Sequence, residues 1–415
     1  MKILLSISRI LVGSLFIVSG LIKANDTIGF SFKLQEYFSY DVLDIPFLID
    51  YTLPMAILIC ISEILLGLAI IIGAQVNLTV WSLFIMIIFF DFLTFYSAFY
   101  NKVTDCGCFG DAIKFTPWQS FYKDLILTIL ILILLIGKNS INYNKFKTNK
   151  YFFVISIFII FLFSFYVLNW IFPVYFSLLL FLIVILVNKF ILNSISQYLI
   201  ATVTFILSLI FSIFTYLYLP IKDYRPYSIG SNIIEGMKLP KNAKSDVYED
   251  IWIYDINGKI SEFSTKDKPW EIENSTFVDR KTNLIFKGDR PTVKDFTIES
   301  DNYGDITDSI LNLDYCVLIV LYDIEKSSVL GMKKISELIN YFNNNNVKNI
   351  LMSSNNDIIS YEILKSNGIN NEINVTDETT LKTMIRSNPG IIILNQGEII
   401  NKFSFRKMKN LYNSI

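Results

Sequence analysis

Two cysteines separated by one glycine, Cys106-Gly107-Cys108, combine residue type and spacing in a way that points to chemistry. They lie in Thr104-Asp105-Cys106-Gly107-Cys108-Phe109-Gly110-Asp111, a short polar stretch between two apolar runs. In an oxidising compartment such thiols pair with each other. A bridge over so few residues closes a very small ring, where normal Cα separation and a dihedral of about 90° are hard to meet together. Glycine between and after the cysteines relieves part of that strain. Strained disulfides are more oxidising and more labile, and so short a loop restrains little unfolded-state entropy. The pair is therefore better suited to exchange with a partner's thiols than to stapling. A structural bridge, half of a metal site and two unbridged thiols stay open. A metal would need further ligands, and the loop offers neither a histidine nor a third cysteine.

The chain has no histidine and four cysteines in 415 residues. That excludes a Cys-His or Ser-His-Asp mechanism and any His-ligated metal or haem. Cys316 falls in an apolar strand-like run and reads as a small core residue. Cys60 reads as filler inside an apolar helix. Net charge is −1 with no basic stripe, so nucleic acid is not an expected partner.

Arg9, Glu63 and Asp91 fall within apolar runs. An ion at the centre of a membrane helix costs about 2.5–3.5 kcal/mol or more, so each needs a partner or water. Antiparallel neighbours would pair Arg9 with Glu63, and Lys23 would reach Asp91 by snorkelling. Such charges serve either as an interhelical lock or as a proton or quinone path. No cofactor is evident from the residues, and a quinone is the one the charges would admit.

The elements that must position these groups are membrane helices. Hydrophobic residues make up 53% of the chain and charged residues 18%, against about 25% charged in soluble domains. Mean hydropathy is +0.48. Runs of about 20 apolar residues predict seven spans, near 3–22, 53–73, 78–99, 118–137, 152–171, 174–192 and 196–218. The first lacks a small-residue cleavage pattern and reads as a retained signal anchor. The loop from Lys138 to Lys150 carries four lysines and no acid, which marks it as cytoplasmic. Counting outward from it puts the Cys loop and the C-terminal domain outside an inner (cytoplasmic) membrane. Lipids are the implied surroundings of the spans.

Several residues in the first four spans resemble the DoxX-like membrane proteins, and within them the MauE type. They are Arg9 and Gly13, Ser19-Gly20 with Lys23 and Asp26, Tyr37, Glu63-Ile64-Leu65-Leu66-Gly67, and Asp105-Cys106-Gly107-Cys108-Phe109-Gly110. Asp223-Tyr224-Arg225-Pro226-Tyr227 through Glu235-Gly236-Met237 resembles the longer Bacteroidetes-type members with an extra soluble domain. Lys123-Asp124 departs from the Arg-Asn that many relatives carry. The resemblance implies a four-helix membrane bundle and a link to membrane redox and disulfide handling. MauE-type members are implicated in maturing a disulfide-rich subunit of methylamine dehydrogenase, and some DoxX relatives belong to a thiosulfate–quinone oxidoreductase. Nothing in this chain recognises an amine.

Beyond residue 220 the chain reads as water-soluble. Asn257-Gly258 predicts a hairpin between Val247–Tyr254 and Lys259–Phe263, and Thr276–Asp279 with Asn283–Phe286 suggests a second. The stretch 224–240 reads as a linker. A strand at Cys316–Tyr322, helices at Val329–Phe342 and Ile358–Ser366, and a closing hairpin after Pro389 suggest a thioredoxin-like α/β domain. A cis bond at Asn388-Pro389 is predicted. Where a thioredoxin carries its thiols, this chain has Glu325-Lys326-Ser327-Ser328-Val329.

The expected division is a DoxX/MauE-like four-helix domain at 1–137, three further membrane helices at 138–219, a β-rich region at 220–310 and a thioredoxin-like domain lacking CxxC at 311–415. The expected function is thiol–disulfide exchange or maturation of an envelope protein by Cys106 and Cys108, with Arg9, Lys23, Glu63 and Asp91 as supporting charges. The partner would be an envelope thiol or disulfide protein, or another redox protein. Two alternatives stand beside it: a non-enzymatic membrane anchor whose soluble domain binds an envelope partner, and a subunit of a quinone-linked sulfur oxidoreductase.

Overall fold

The computed structural model describes residues 2–103, 107, 109–191 and 195–408. The first membrane contact is set by glycine. On helix α1 (Lys2–Asn25), a β-carbon at Gly13 would lie 2.7 Å from the Gly67 carbonyl oxygen, and one at Gly20 would lie 2.8 Å from that of Cys60. Both carbonyls belong to the third helix in chain order, which follows α2 (Thr27–Phe38) and spans Thr52–Ile72 as α3. The two backbones therefore touch, as small residues allow in membranes.

Helices α4 (Val76–Tyr100) and α5 (Pro117–Gly137) pack on each other. Then come α6 (Phe146–Leu162), a π-helical turn at Phe163–Val167, α7 (Phe172–Phe190) and α8 (Ile195–Tyr218). Among the described residues, seven helices are long and apolar enough to cross a membrane, and the chain is a polytopic membrane protein.

Two features of this region differ from the sequence expectation. The first interspan loop contains α2, whose N-terminus Asp26 caps by accepting the Gly29 N–H at 2.9 Å. The fifth span begins earlier than expected and ends in the π turn, because Asn169 (φ 46°) reverses the chain and Pro173 restarts a helix.

Parity follows from the count. The interspan segments containing α2, Phe109–Asp111 and Leu168–Ile171 emerge on one face, with the soluble region. The Lys138–Lys150 segment emerges on the other.

The short α9 (Ile233–Met237) opens the soluble region. Strands β1 (Val247–Ile256), β2 (Lys259–Ser264) and β3 (Ser275–Phe286) form an antiparallel sheet of order β2-β1-β3. β3 is one continuous strand and not a second hairpin. It pairs with β1 from end to end, and no turn residue interrupts Arg280-Lys281-Thr282. Thr282 donates to Asp250 at 2.5 Å and Lys281 reaches Glu262 at 3.2 Å, which fixes the register.

A second sheet contains β4 (Glu299–Ser300), β5 (Gly304–Asp305), β6 (Cys316–Leu321), β7 (Asn349–Ser353), β8 (Ile373–Val375), β9 (Gly390–Asn395) and β10 (Glu398–Ser404), in the order β10-β9-β6-β7-β8-β4-β5. Helices α10 (Thr307–Leu311), α11 (Val329–Asn344), α12 (Ile358–Ser366) and α13 (Glu378–Met384) connect it. β6 runs parallel to β7 and antiparallel to β9, and is wholly buried. With the cis bond at Asn388-Pro389 before β9, this is a thioredoxin-like α/β arrangement.

The stretch 224–240 is built into that domain. Tyr227 and Ile233 are buried, and the Gly230 and Ile233 N–H groups donate to the Ile399 and Gly397 carbonyls, each at 2.8 Å.

Because Gly67 meets the α1 backbone, Gly67→Leu is expected to destabilise the bundle by about 1–3 kcal/mol or more through overpacking. Thermal unfolding in detergent measures this. An unchanged midpoint would show that the two helices do not pack through their glycines.

Candidate functional site

Cys106 and Cys108 lie outside the described residues, so the site is built from what flanks them. Gly107 has φ 68°, and a β-carbon there would sit 2.9 Å from Cγ of Lys33 on α2. Both the backbone conformation and the space favour glycine. Asp111 accepts from the Arg386 guanidinium at 3.2 Å, and Asp26 at the α1–α2 junction accepts from it at 2.9 Å.

Arg386 lies three residues before the cis proline of the soluble domain. One buried side chain thus joins that domain to the first membrane helix and to the loop after α4. The Arg386 guanidinium also lies over the Phe32 ring of α2 at 5.4 Å, and Phe32 meets Tyr322 edge-on. Burial alone would lower the Arg386 pKa, but Asp26 and Asp111 outweigh it and hold the guanidinium above its usual value.

A second ionic cluster fastens the segment after α8. Asp223 accepts from Arg225 at 2.7 and 2.8 Å and from Lys402 at 2.7 Å. Arg225 also donates to the Thr383 carbonyl, and Lys402 to that of Tyr227. Burial opposes the charge on Asp223, yet Arg225 and Lys402 hold its carboxyl well below the usual range. Burial, with Arg225 alongside, lowers Lys402 to about 8 in spite of Asp223. Two cations share one carboxylate, so the acid gains more than either base.

Inside the membrane region the charges pair differently from the sequence expectation. Lys23 does not snorkel toward Asp91. It is 2% exposed, forms an ion pair with Glu63, donates to Ser19 Oγ at 3.0 Å and lies over the Phe90 ring at 4.6 Å. Arg9 does not meet Glu63. It donates to the Ile70 and Ile71 carbonyls at 3.0 and 2.9 Å and to Asn144 at 2.9 Å. Those carbonyls end α3, where a cation is favoured by the helix dipole and by orphan acceptors. Asp91 accepts from Thr128 at 2.5 Å. The oxygens Glu63 Oε2 and Asp91 Oδ1 have no hydrogen-bond partner among the described residues.

Below the loop, a cavity of about 150 Å³ is lined by Phe16, Phe90, Phe109, Phe115 and Phe163, with Lys23, Glu63, Lys123 and Asp124. Lys123 pairs with Asp124 at 2.6 Å and lies over the Phe109 ring at 4.9 Å. Lys123 and Asp124 thus border the cavity.

At the thioredoxin-like site, Ser327 donates to the Asp323 carbonyl and to Asn388 Oδ1, and Ser328 caps α11. Hydroxyls there cannot exchange disulfides. Cys316 is fully buried, and burial pushes its thiol up to about 12. Cys60 is fully buried in α3. Arg386, Asp223 and Lys402 were not among the residues singled out from sequence as site candidates. Asp223 and Arg225 stand in a quoted motif, but the partners that give them a role are distant in the chain.

Residues 1–137 match the family model described as "Methylamine utilisation protein MauE". No curated protein and no solved structure matches the chain.

Two predictions follow from these ionic contacts. Lys23→Met leaves Glu63 buried without its cation and is expected to cost about 3–5 kcal/mol, with Lys23→Met/Glu63→Met recovering most of it. Equal unfolding midpoints for the single and double variants would contradict the pairing. Asp223→Asn is expected to destabilise the protein at pH 7. Because the folded pKa of Asp223 is depressed, its contribution is present above about pH 4 and lost as pH falls below that value. A stability difference from the unmodified protein that stays constant down to pH 3 would contradict it.

Proposed function

We propose that this polytopic membrane protein, whose residues 1–137 form a MauE-type domain, carries out thiol–disulfide exchange through Cys106 and Cys108 and so supports maturation of an envelope protein. The supporting observation is the Arg386 link to Asp26 and Asp111. It brings a thioredoxin-like domain that lacks exchange thiols against Asp111, which follows the two cysteines in the chain. The membrane part supplies the sulfurs and the soluble part supplies a surface for the partner.

In the exchange step a partner thiolate attacks one sulfur of the Cys106–Cys108 disulfide. A mixed disulfide forms and the other cysteine leaves as thiolate. A second partner thiolate then attacks the mixed disulfide. The partner departs with its own disulfide, and the Cys pair is left reduced by two electrons. The exported orientation is part of the proposal and rests on the lysine-rich Lys138–Lys150 loop on the opposite face.

A non-enzymatic reading, in which the chain anchors an envelope partner, is favoured by the hydroxyls at Ser327 and Ser328 where exchange thiols would otherwise stand.

With the single variants Cys106→Ser and Cys108→Ser, one of the two is expected to accumulate a mixed disulfide, seen as a reductant-sensitive band of higher mass. The double variant should show none. Absence of the band from both single variants would favour the anchor. A membrane-impermeant maleimide applied to intact cells is expected to label the pair only after reduction. Labelling only after the membrane is breached would put the loop on the cytoplasmic side.

A further inference from the structure

We infer that the cavity between α2, the end of α8 and the thioredoxin-like face binds the phosphate of an anionic phospholipid headgroup. The inference does not rest on the thiol–disulfide reading. The cavity measures about 270 Å³, just below the range of about 300–1,000 Å³ usual for small-molecule sites. It is lined by Ile28 and Phe32 of α2, Tyr216 of α8, and Tyr322, Phe405 and Arg406 of the soluble domain.

Its polar groups are rich in donors and short of acceptors. Lys326, Lys382, Arg386 and Arg406 line it against one acid, Asp323. Three of these cations are already paired: Lys326 with Asp323 at 3.2 Å, Lys382 with Glu378 at 2.7 Å, and Arg386 with Asp26 and Asp111. Arg406 has no carboxylate partner among the described residues. Its guanidinium lies over the Phe405 ring at 4.2 Å and the Tyr216 ring at 5.3 Å. Two aromatic neighbours orient the guanidinium and leave its N–H edge for an oxyanion. The hydroxyls of Tyr216 and Tyr322 likewise have no hydrogen-bond partner among the described residues. Burial pushes the Tyr322 phenol up to about 12 against the pull of Arg386, so it keeps its proton and donates. A phosphodiester offers such a set only acceptor oxygens and a negative charge, and arginine matches it with two parallel N–H groups.

The position of the cavity favours a lipid over a free phosphate ester. Tyr216 stands in the last turn of α8, at the end of a span, where tyrosine sits at headgroup level. Ile206, Ile210 and Ile213 are exposed on α8 at helical spacing and lead to Tyr216. Acyl chains along that row carry their phosphate to Arg406. A choline headgroup would add a cation where Lys326 and Arg406 already stand, so the headgroup that fits has a net negative charge. Held there, the phosphate touches both the membrane part and the soluble domain.

The probes are phosphatidylglycerol and phosphatidylcholine with the same acyl chains, and free glycerol 3-phosphate. Each is added at equal concentration to the full chain in nonionic detergent, and bound copies are counted by native mass spectrometry. One phosphatidylglycerol per chain is expected to saturate, about tenfold more tightly than phosphatidylcholine, with no glycerol 3-phosphate retained. Arg406→Gln should weaken phosphatidylglycerol by about tenfold or more, and Tyr322→Phe by about threefold. Lys407→Gln, which removes the same charge from an exposed neighbour outside the cavity, should change nothing. Should Arg406→Gln fail to fold, Tyr216→Phe/Tyr322→Phe takes its place, with about a tenfold loss expected. Equal losses in Arg406→Gln and Lys407→Gln, or no preference for phosphatidylglycerol, overturn the site. Glycerol 3-phosphate held as tightly as the lipid, and released in Arg406→Gln, keeps the phosphate site and overturns the lipid as its source.

Discussion

A single guanidinium holds three parts of this protein in register. Arg386 comes from the soluble domain, Asp26 directly follows the first membrane helix, and Asp111 stands three residues after Cys108 in the sequence. Arg386 is buried, so its charge is met by these carboxylates and not by bulk water, and they must be present and correctly spaced. That requirement joins the thioredoxin-like face to α2 and to the loop after α4. The Asp223 cluster adds a second fastening, where the chain leaves α8.

Within the membrane region the same rule sorts the ions. Arg9 takes the carbonyls at the end of α3, and Lys23 takes Glu63. α1 presents both cations to α3, so that contact combines close backbone packing with carbonyl acceptors for Arg9 and an ion pair for Lys23. The carboxylate oxygens left without donors are the exceptions. One of them, on Glu63, belongs to a residue lining the cavity beneath the loop.

Much of this was legible in the sequence. Seven apolar runs gave seven helices, since length and hydropathy suffice where every backbone group must bond within its own helix. The order of strands and helices after Cys316, the cis bond at Asn388-Pro389 and the missing thiols at Ser327-Ser328 could also be read, because local pattern governs them. Other features could not. Helix α2 lies between the first two apolar runs and is too short to stand out as a span, and its cap Asp26 is a one-residue signal. β3 looked like a hairpin because its pairing with β1 depends on cross-strand partners. The exchange of partners between Arg9 and Lys23 turns on which carbonyls are exposed at the end of α3. Arg386 was invisible because its carboxylates lie 360 and 275 residues away.

That distance has a consequence for biogenesis. Asp26 and Asp111 emerge from the ribosome long before Arg386. At about 5–20 residues per second, a 360-residue gap corresponds to an interval on the order of tens of seconds. During it the remaining membrane helices are synthesised, and each acid awaits its cation from the moment it is made. The α1–α3 contact and the Lys23–Glu63 pair can thus form before the soluble domain that Arg386 fastens has been translated.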